Sequence, residues 1–271
     1  MQDEGACYKA AFYGIESHRC LQMTPTLMCN QRCLHCWRPT EVDVSMPVEW
    51  DSPVEIVGSC IESQRKLISG FGGSALKERW MEGNDPRHVA ISLSGEPTLF
   101  PHLPELIEEF KKQGLTTFVV SNGTNPKMME RINPSQLYMS LEAPDRETYE
   151  KVCGPKSADL WERIGHSLEI LREKETRTVI RITLIKDLNM FNHEGYAELM
   201  RKAEPDYIEV KAYMHLGFSR KRLPREAMPS HQEVLDFSDK LANLLGYRIA
   251  DDVEISRVVL ISKDGTVSPL V

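Results

Sequence analysis

The chemistry of this chain starts with its cysteines. Seven occur, at 7, 20, 29, 33, 36, 60 and 153, and five of them fall within the first 36 residues. Cys29, Cys33 and Cys36 have the spacing C-x3-C-x2-C. Three thiolates on a short loop can ligate three irons of a [4Fe–4S] cluster, which normally takes four cysteines, and so leave one iron open to a non-protein ligand. A structural zinc site wants four closed ligands, commonly from paired C-x2-C units. His35 could serve as a fourth ligand by type, but it sits between two ligating positions and is expected to face away. An odd cysteine count argues against a disulfide framework. Cys60 and Cys153 stand alone and read as buried structural thiols.

Other polar residues fall where apolar runs end. Leu93-Ser94-Gly95-Glu96-Pro97 closes one run and Ser121-Asn122-Gly123 closes the next. Ser140, Glu142 and Asp145 follow a third, and Thr183 and Asn189 lie on and after a fourth. Taken singly these are ordinary turn and cap residues. At the C-terminal ends of barrel strands they read as functional.

The elements that must position these residues alternate. Apolar, β-branched runs at 88–93, 116–121, 137–141, 179–185 and 207–212 read as strands, with a shorter one at 23–28 leading into the cysteine motif. Amphipathic stretches lie between them. Leu103, Leu106, Ile107 and Phe110 follow i, i+3, i+4, i+7 spacing, and Gly114 stops that helix. Ile164, Leu168 and Leu171 mark another helix, as do Val234, Phe237, Leu241 and Leu244, and a further helix is expected over 54–69. Six strand–helix units in order imply a parallel sheet with right-handed crossovers. They occupy about 23–246, too short for a complete eight-fold barrel of about 250 residues, so the expectation is an α/β fold, a partial (β/α)6 barrel. An N-terminal cysteine-bearing segment (1–22) and a C-terminal extension (247–271) with a strand near 254–262 complete one structural domain.

Composition narrows the setting. In 271 residues, 41% are hydrophobic and 27% charged, enough for a full core and too apolar for wholesale disorder. The 33 basic and 40 acidic side chains give a net charge of −7, which excludes bulk positive charge as a means of holding nucleic acid. A local basic run remains, Arg220-Lys221-Arg222 with Arg225, after the sixth strand. Basic residues there could neutralise phosphates, and Trp37 and Tyr213 could stack an extruded base. No apolar run spans a membrane, and the N-terminus lacks the pattern of a signal peptide, so the expectation is a soluble, cytoplasmic protein.

The cysteine loop after a first strand, in a partial barrel, resembles the signature of the radical S-adenosylmethionine (SAM) superfamily. That resemblance implies SAM as cofactor, held by its methionine moiety at the open iron. It implies that Gly95 and Glu96 correspond to the Gly-Glu motif that meets the SAM amino group. Ser121 and Asn122, with Thr183 and Asn189, are implied as further SAM contacts. His35 stands where that superfamily usually carries an aromatic residue near the adenine.

Several stretches resemble one branch more closely: Cys7-Tyr8-Lys9, Phe12-Tyr13-Gly14-Ile15-Glu16, His18-Arg19-Cys20, Cys36-Trp37-Arg38-Pro39, and the runs at 88–99, 116–123 and 208–217. Together these are similar to the archaeal 4-demethylwyosine synthase family of tRNA-modifying lyases. The resemblance implies condensation of pyruvate with N1-methylguanosine at position 37 of phenylalanine tRNA, with Lys9 as the amine that forms a Schiff base. A desolvated lysine near cationic groups would have the lowered pKa this needs. The resemblance also implies a second [4Fe–4S] cluster, with Cys7 and Cys20 as two of its three ligands. The third would lie upstream of Cys7, where the six residues present hold no thiol, so this second site is short of a ligand. Nothing here resembles the flavodoxin-like domain of eukaryotic relatives, and an external electron donor is expected. The alternatives are an activating enzyme that makes a glycyl radical on a protein partner, and a metal-binding protein without turnover.

Overall fold

The computed structural model describes residues 7–47, 49–73 and 76–270. In chain order its elements are α1 (Tyr8–Tyr13), β1 (Cys20–Met23), α2 (Pro53–Ser69), α3 (Lys77–Gly83), β2 (His88–Ile91), α4 (Leu103–Lys112), β3 (Thr116–Ser121), α5 (Pro126–Arg131), β4 (Gln136–Ser140), α6 (Arg146–Cys153), α7 (Leu160–Arg172), β5 (Arg177–Leu184), α8 (His193–Ala203), β6 (Tyr207–Ala212), α9 (His231–Leu245), β7 (Arg248–Val253) and β8 (Val258–Ser262). The strands form one sheet in the order β1-β2-β3-β4-β5-β6-β8-β7. The first six are parallel, and β8 and β7 add an antiparallel hairpin at the end. This is the partial barrel expected from the run of strand–helix units.

Two boundaries differ from the expectation. The first strand is Cys20–Met23, not 23–28, so Cys20 is a strand residue and the motif loop begins at Thr24. Pro25 has no N–H to donate to a ladder, and the Thr24 hydroxyl donates to Thr26 O at 2.8 Å, which turns the chain. The C-terminal strand is Val258–Ser262, and a second strand, Arg248–Val253, precedes it. That strand is an edge with half of its residues exposed, all of them charged, so no alternation of apolar residues marked it.

The strands divide the core by parity. Val89, Ile91, Val119, Leu137, Met139, Ile180 and Ile182 face outward to the helices and join Leu103, Leu106, Ile107, Phe110, Leu168 and Leu241. The opposite residues, Ala90, Phe118, Tyr138, Val179, Tyr207, Val258 and Leu260, face inward. Into this interior goes α1, whose Tyr8, Phe12 and Tyr13 pack against them. The short helix is fixed by charge as well as by apolar contact. Glu209 is fully buried; it accepts from Tyr8 at 3.0 Å, from Tyr13 at 2.8 Å and from Arg181 Nε at 2.9 Å. Arg181 also donates to the Tyr8 hydroxyl at 2.8 Å. Burial pushes the Glu209 carboxyl up, but Arg181, Lys9 and the Tyr13 hydroxyl outweigh it and hold it below its usual value.

Removing one partner of such a pair leaves a buried, uncompensated charge. Glu209→Ala should therefore lower stability by about 3–5 kcal/mol, read as a lower denaturant midpoint. Because the carboxyl is held low, the network contributes above the unfolded carboxylate pKa and is lost as pH falls through the folded value. The mutational penalty should shrink in acid.

Candidate active site

The cysteine loop leaves β1 and is held by contacts from far along the chain. Residues 30–34 run antiparallel to 152–156, with Arg32 N donating to Cys153 O at 2.8 Å and Leu34 N to Val152 O at 2.9 Å. Gly95 lies under the loop with φ +68°, and a Cβ there would stand 2.2 Å from Thr26 O. A glycine is therefore needed here for packing against the loop backbone.

Cys29, Cys33 and Cys36 line a cavity of about 310 Å³ at the C-terminal mouth of the barrel, and they also line an adjoining one of about 270 Å³. Burial, reinforced by the neighbouring Cys33, pushes the Cys29 thiol up to about 12. Burial likewise raises Cys36, and the hydrogen-bonded Cys153 thiol together with burial raises Cys33. Without a bound cation these groups stay protonated. A cationic cluster would draw the protons off. Sulfurs around one tetrahedral zinc would lie about 3.8 Å apart. Among the described residues, the group whose ligand atoms lie within 4.8 Å of one another is Glu16, His18 and Glu82, far from this loop in type and place. The three thiols are not such a group, so at least one pair of their sulfurs stands farther apart than one tetrahedral ion would hold it.

The strand ends supply the rest of the cavity wall. Glu96 is 2% exposed and accepts from Thr98 N, Thr98 Oγ1 and Ser121 Oγ on Oε1, and from Asn122 N on Oε2. Of a carboxylate's four acceptor positions, one on Oε2 is left for a ligand. Asn122 lines the cavity and ties β3 to the loop, donating to Asn30 at 2.9 Å and lying 4.0 Å from the Cys29 sulfur. Thr183 lines the cavity and donates from N and Oγ1 to Glu142, at 2.8 and 3.2 Å. Asn189 does not line it. Fully buried, it donates to Glu142 O and Thr183 O and accepts from Ile185 N, so it shapes the turn after β5. Asp145 caps α6 through Thr148 N.

His35 corrects the expectation that it faces away. It lines the cavity, its Nε2 is 3.6 Å from Glu142, and its Nδ1 is buried with no protein partner. That orphaned nitrogen and the free position on Glu96 fit a polar ligand. Arg181 and Tyr149 also line the cavity. Neither stood out in the sequence, because strand arginines and helix tyrosines carry no local motif.

Lys9 lies in the barrel interior, 8% exposed, with Nζ 4.4 Å from the Tyr138 ring centroid and 4.6 Å from that of Phe118. Burial, then the Arg181 charge, lowers its pKa to about 8, against the opposing pull of Glu209. Arg181 stacks on the same Tyr138 ring at 4.6 Å and links the lysine to the cavity. Cys20 packs at this inner face. Burial pushes its thiol up to about 11, with Lys9 opposing and Cys7 adding. The structure thus brings Cys7, Lys9 and Cys20 together. Residues 1–6 are outside the described residues.

The basic run is split. Arg220 and Lys221 are exposed. Arg222 is not free for a phosphate: it donates to Leu34 O at 3.1 Å, to Arg38 O at 3.2 Å, to Cys36 O and to Glu41 at 2.8 Å, and so clasps the cluster loop. Tyr213 is likewise removed from stacking. It is 1% exposed, with its hydroxyl bonded to His215 and Ser219. Trp37 is exposed at the cavity rim beside Arg38, whose guanidinium is 5.4 Å from its ring.

Comparison with known proteins agrees with this geometry. Residues 23–200 match the Radical SAM superfamily and residues 202–263 match the family described as Wyosine base formation. The chain is 50% identical over 269 residues to the S-adenosyl-L-methionine-dependent tRNA 4-demethylwyosine synthase of Pyrococcus abyssi, covering 95% of this chain and 79% of that protein. It is 42% identical over 274 residues to the enzyme of the same name from Methanocaldococcus jannaschii, covering 97% and 87%. A solved structure of TYW1 with a lysine-pyruvate adduct bound superposes with a TM-score of 0.90 at 42% identity, covering 97% of this chain and 86% of that one. The chain belongs to the S-adenosyl-L-methionine-dependent tRNA 4-demethylwyosine synthases, within the radical SAM superfamily.

Proposed function

We propose that this chain is a radical SAM lyase that builds 4-demethylwyosine from pyruvate and N1-methylguanosine at position 37 of phenylalanine tRNA. The observation that carries the reading is Lys9: a lysine buried inside the barrel, held near pKa 8, and linked through Arg181 to the cavity that the three cysteines line. Cys29, Cys33 and Cys36 would hold a [4Fe–4S] cluster, which would supply the electron for reductive cleavage of SAM. The residues of the chain do the rest. Glu96, Asn122, Thr183 and His35 present polar groups to SAM. Lys9 attacks the pyruvate ketone as a neutral amine and loses water to form an imine. Arg181, already half-neutralised by Glu209, lies where a carboxylate could meet it. An activating enzyme for a protein radical would have no use for a buried amine.

Cys7 and Cys20 are assigned as two ligands of a second cluster on the Lys9 side of the barrel. Arg220, Lys221 and Trp37 form the tRNA contact, with Trp37 available to a base and the two cations to phosphates. Electrons come from a separate donor. Among the described residues no helix is long and apolar enough to cross a membrane, and we place the protein in the cytoplasm.

Trapping with borohydride in the presence of pyruvate should add a pyruvate-derived mass to the peptide carrying Lys9, and Lys9→Ala should abolish it. With a pKa near 8, about a hundredth of the amine is neutral at pH 6. The trapping rate should rise with pH and level off above 8. Label on another lysine would move the role away from Lys9.

For tRNA, the double variant Arg220→Ala/Lys221→Ala should flatten the log–log salt dependence of binding by up to about 2. Arg222→Ala should leave that slope in place and instead lower the iron bound per chain, because it releases the loop. An unchanged slope in the double variant would place the tRNA elsewhere on the protein.

A further inference from the structure

Cys153 is the thiol that the cluster motif leaves over. It ends α6 and is 1% exposed, yet it lines the same cavity as Cys29, Cys33 and Cys36. The backbone explains its place. Gln31 is bridged antiparallel to Pro155, Leu34 N reaches Val152 O at 2.9 Å, and Lys156 N reaches Asn30 O at 3.0 Å. In that register residues 33 and 153 stand opposite each other, a position that brings facing side chains to about 4.5–5.5 Å at Cβ. The register and the shared cavity wall set the two thiols side by side.

We propose that Cys153 is a positioning residue that donates its S–H to the Cys33 sulfur and thereby raises the reduction potential of the cluster; this rests on the cluster reading given above. A cluster gains one negative charge on reduction, and part of that charge sits on its thiolate ligands. A donor aimed at a ligand sulfur therefore stabilises the reduced form more than the oxidised one. Burial removes the water that would compete for that sulfur and strengthens the bond. The neighbouring Gln31 amide cannot take over the role. It presents its oxygen to Cys33 at 3.3 Å because its nitrogen is held by the Tyr149 hydroxyl at 2.8 Å. Cys153 thus acts through Cys33 and makes the cluster easier to reduce by an outside donor.

The test is an EPR redox titration of the anaerobically reconstituted full chain, wild type against Cys153→Ala and Cys153→Ser. Loss of the donor should shift the reduction equilibrium about tenfold toward the oxidised form, about 59 mV for one electron. Serine keeps a donor and should restore most of the shift. If Cys153→Ala fails to load, Cys153→Val fills the volume without a donor and carries the same expectation. A potential unchanged in the alanine or valine variant, or a serine variant that matches it, overturns the proposal. Iron counting separates the two levels of the argument. About four or more irons per chain with an unmoved potential sinks the tuning role alone; no iron–sulfur signal in wild type sinks the cluster reading with it.

Discussion

The buried pair of Arg181 and Glu209 ties this molecule together. It joins β5 to β6 across their register, and through Tyr8 and Tyr13 it fastens the N-terminal helix inside the barrel. Two ions taken from water cost several kcal/mol each unless their remaining hydrogen-bonding positions are filled. Here both phenols fill them. Burial is the main reason that the Lys9 pKa is lowered, and the same pair adds to the field around it, Arg181 lowering the pKa further and Glu209 opposing. One interaction therefore holds the helix that carries the amine and tunes the amine it carries.

A second constraint is the support of the cysteine loop. Regular secondary structure does not hold residues 24–36 in place. Their positions come from the 152–156 segment, from Gly95 beneath and from the Arg222 clasp above. Each comes from a different strand–helix unit. A loop fixed from three sides presents its thiols in a constant geometry, so little of the ligand-binding free energy goes into ordering the chain.

The cavity wall shows how polar groups are shared between fold and ligand. Glu96 accepts from Ser121 and Asn122 at the end of β3, and Glu142 accepts from Thr183 on β5, which aligns β2 with β3 and β4 with β5. Asn189 spends its amide on Thr183 and Ile185 at the end of β5 and on the Glu142 carbonyl after β4. What is left open is small and specific: positions on Glu96 and Glu142, the His35 nitrogen and the thiols. Because the buried polar groups are nearly saturated, the wall stays rigid and leaves few ways for a ligand to bind.

The sequence by itself determined the parts that are local. The spacing of Cys29, Cys33 and Cys36 marks them as three candidate ligands on one loop. The helices over Leu103–Lys112, Leu160–Arg172 and His231–Leu245 follow from the 3.6-residue period of their buried faces. The order of strands and helices was enough for the partial barrel, because right-handed crossovers leave few alternatives. Tertiary structure decided what depends on partners distant in the chain. Arg222 and Arg220 are alike in sequence, yet one is half-buried against the cysteine loop and the other faces solvent. Tyr213 and Trp37 are both aromatic, but only Trp37 is at the surface. Lys9 would be an ordinary surface lysine if α1 were not drawn into the barrel by Glu209, and Cys153 an ordinary core thiol if its register did not place it opposite Cys33. Composition and spacing say which chemistry a side chain can do. Its burial, its neighbours and therefore its charge state are set by residues up to 201 positions away, and only the folded chain supplies those.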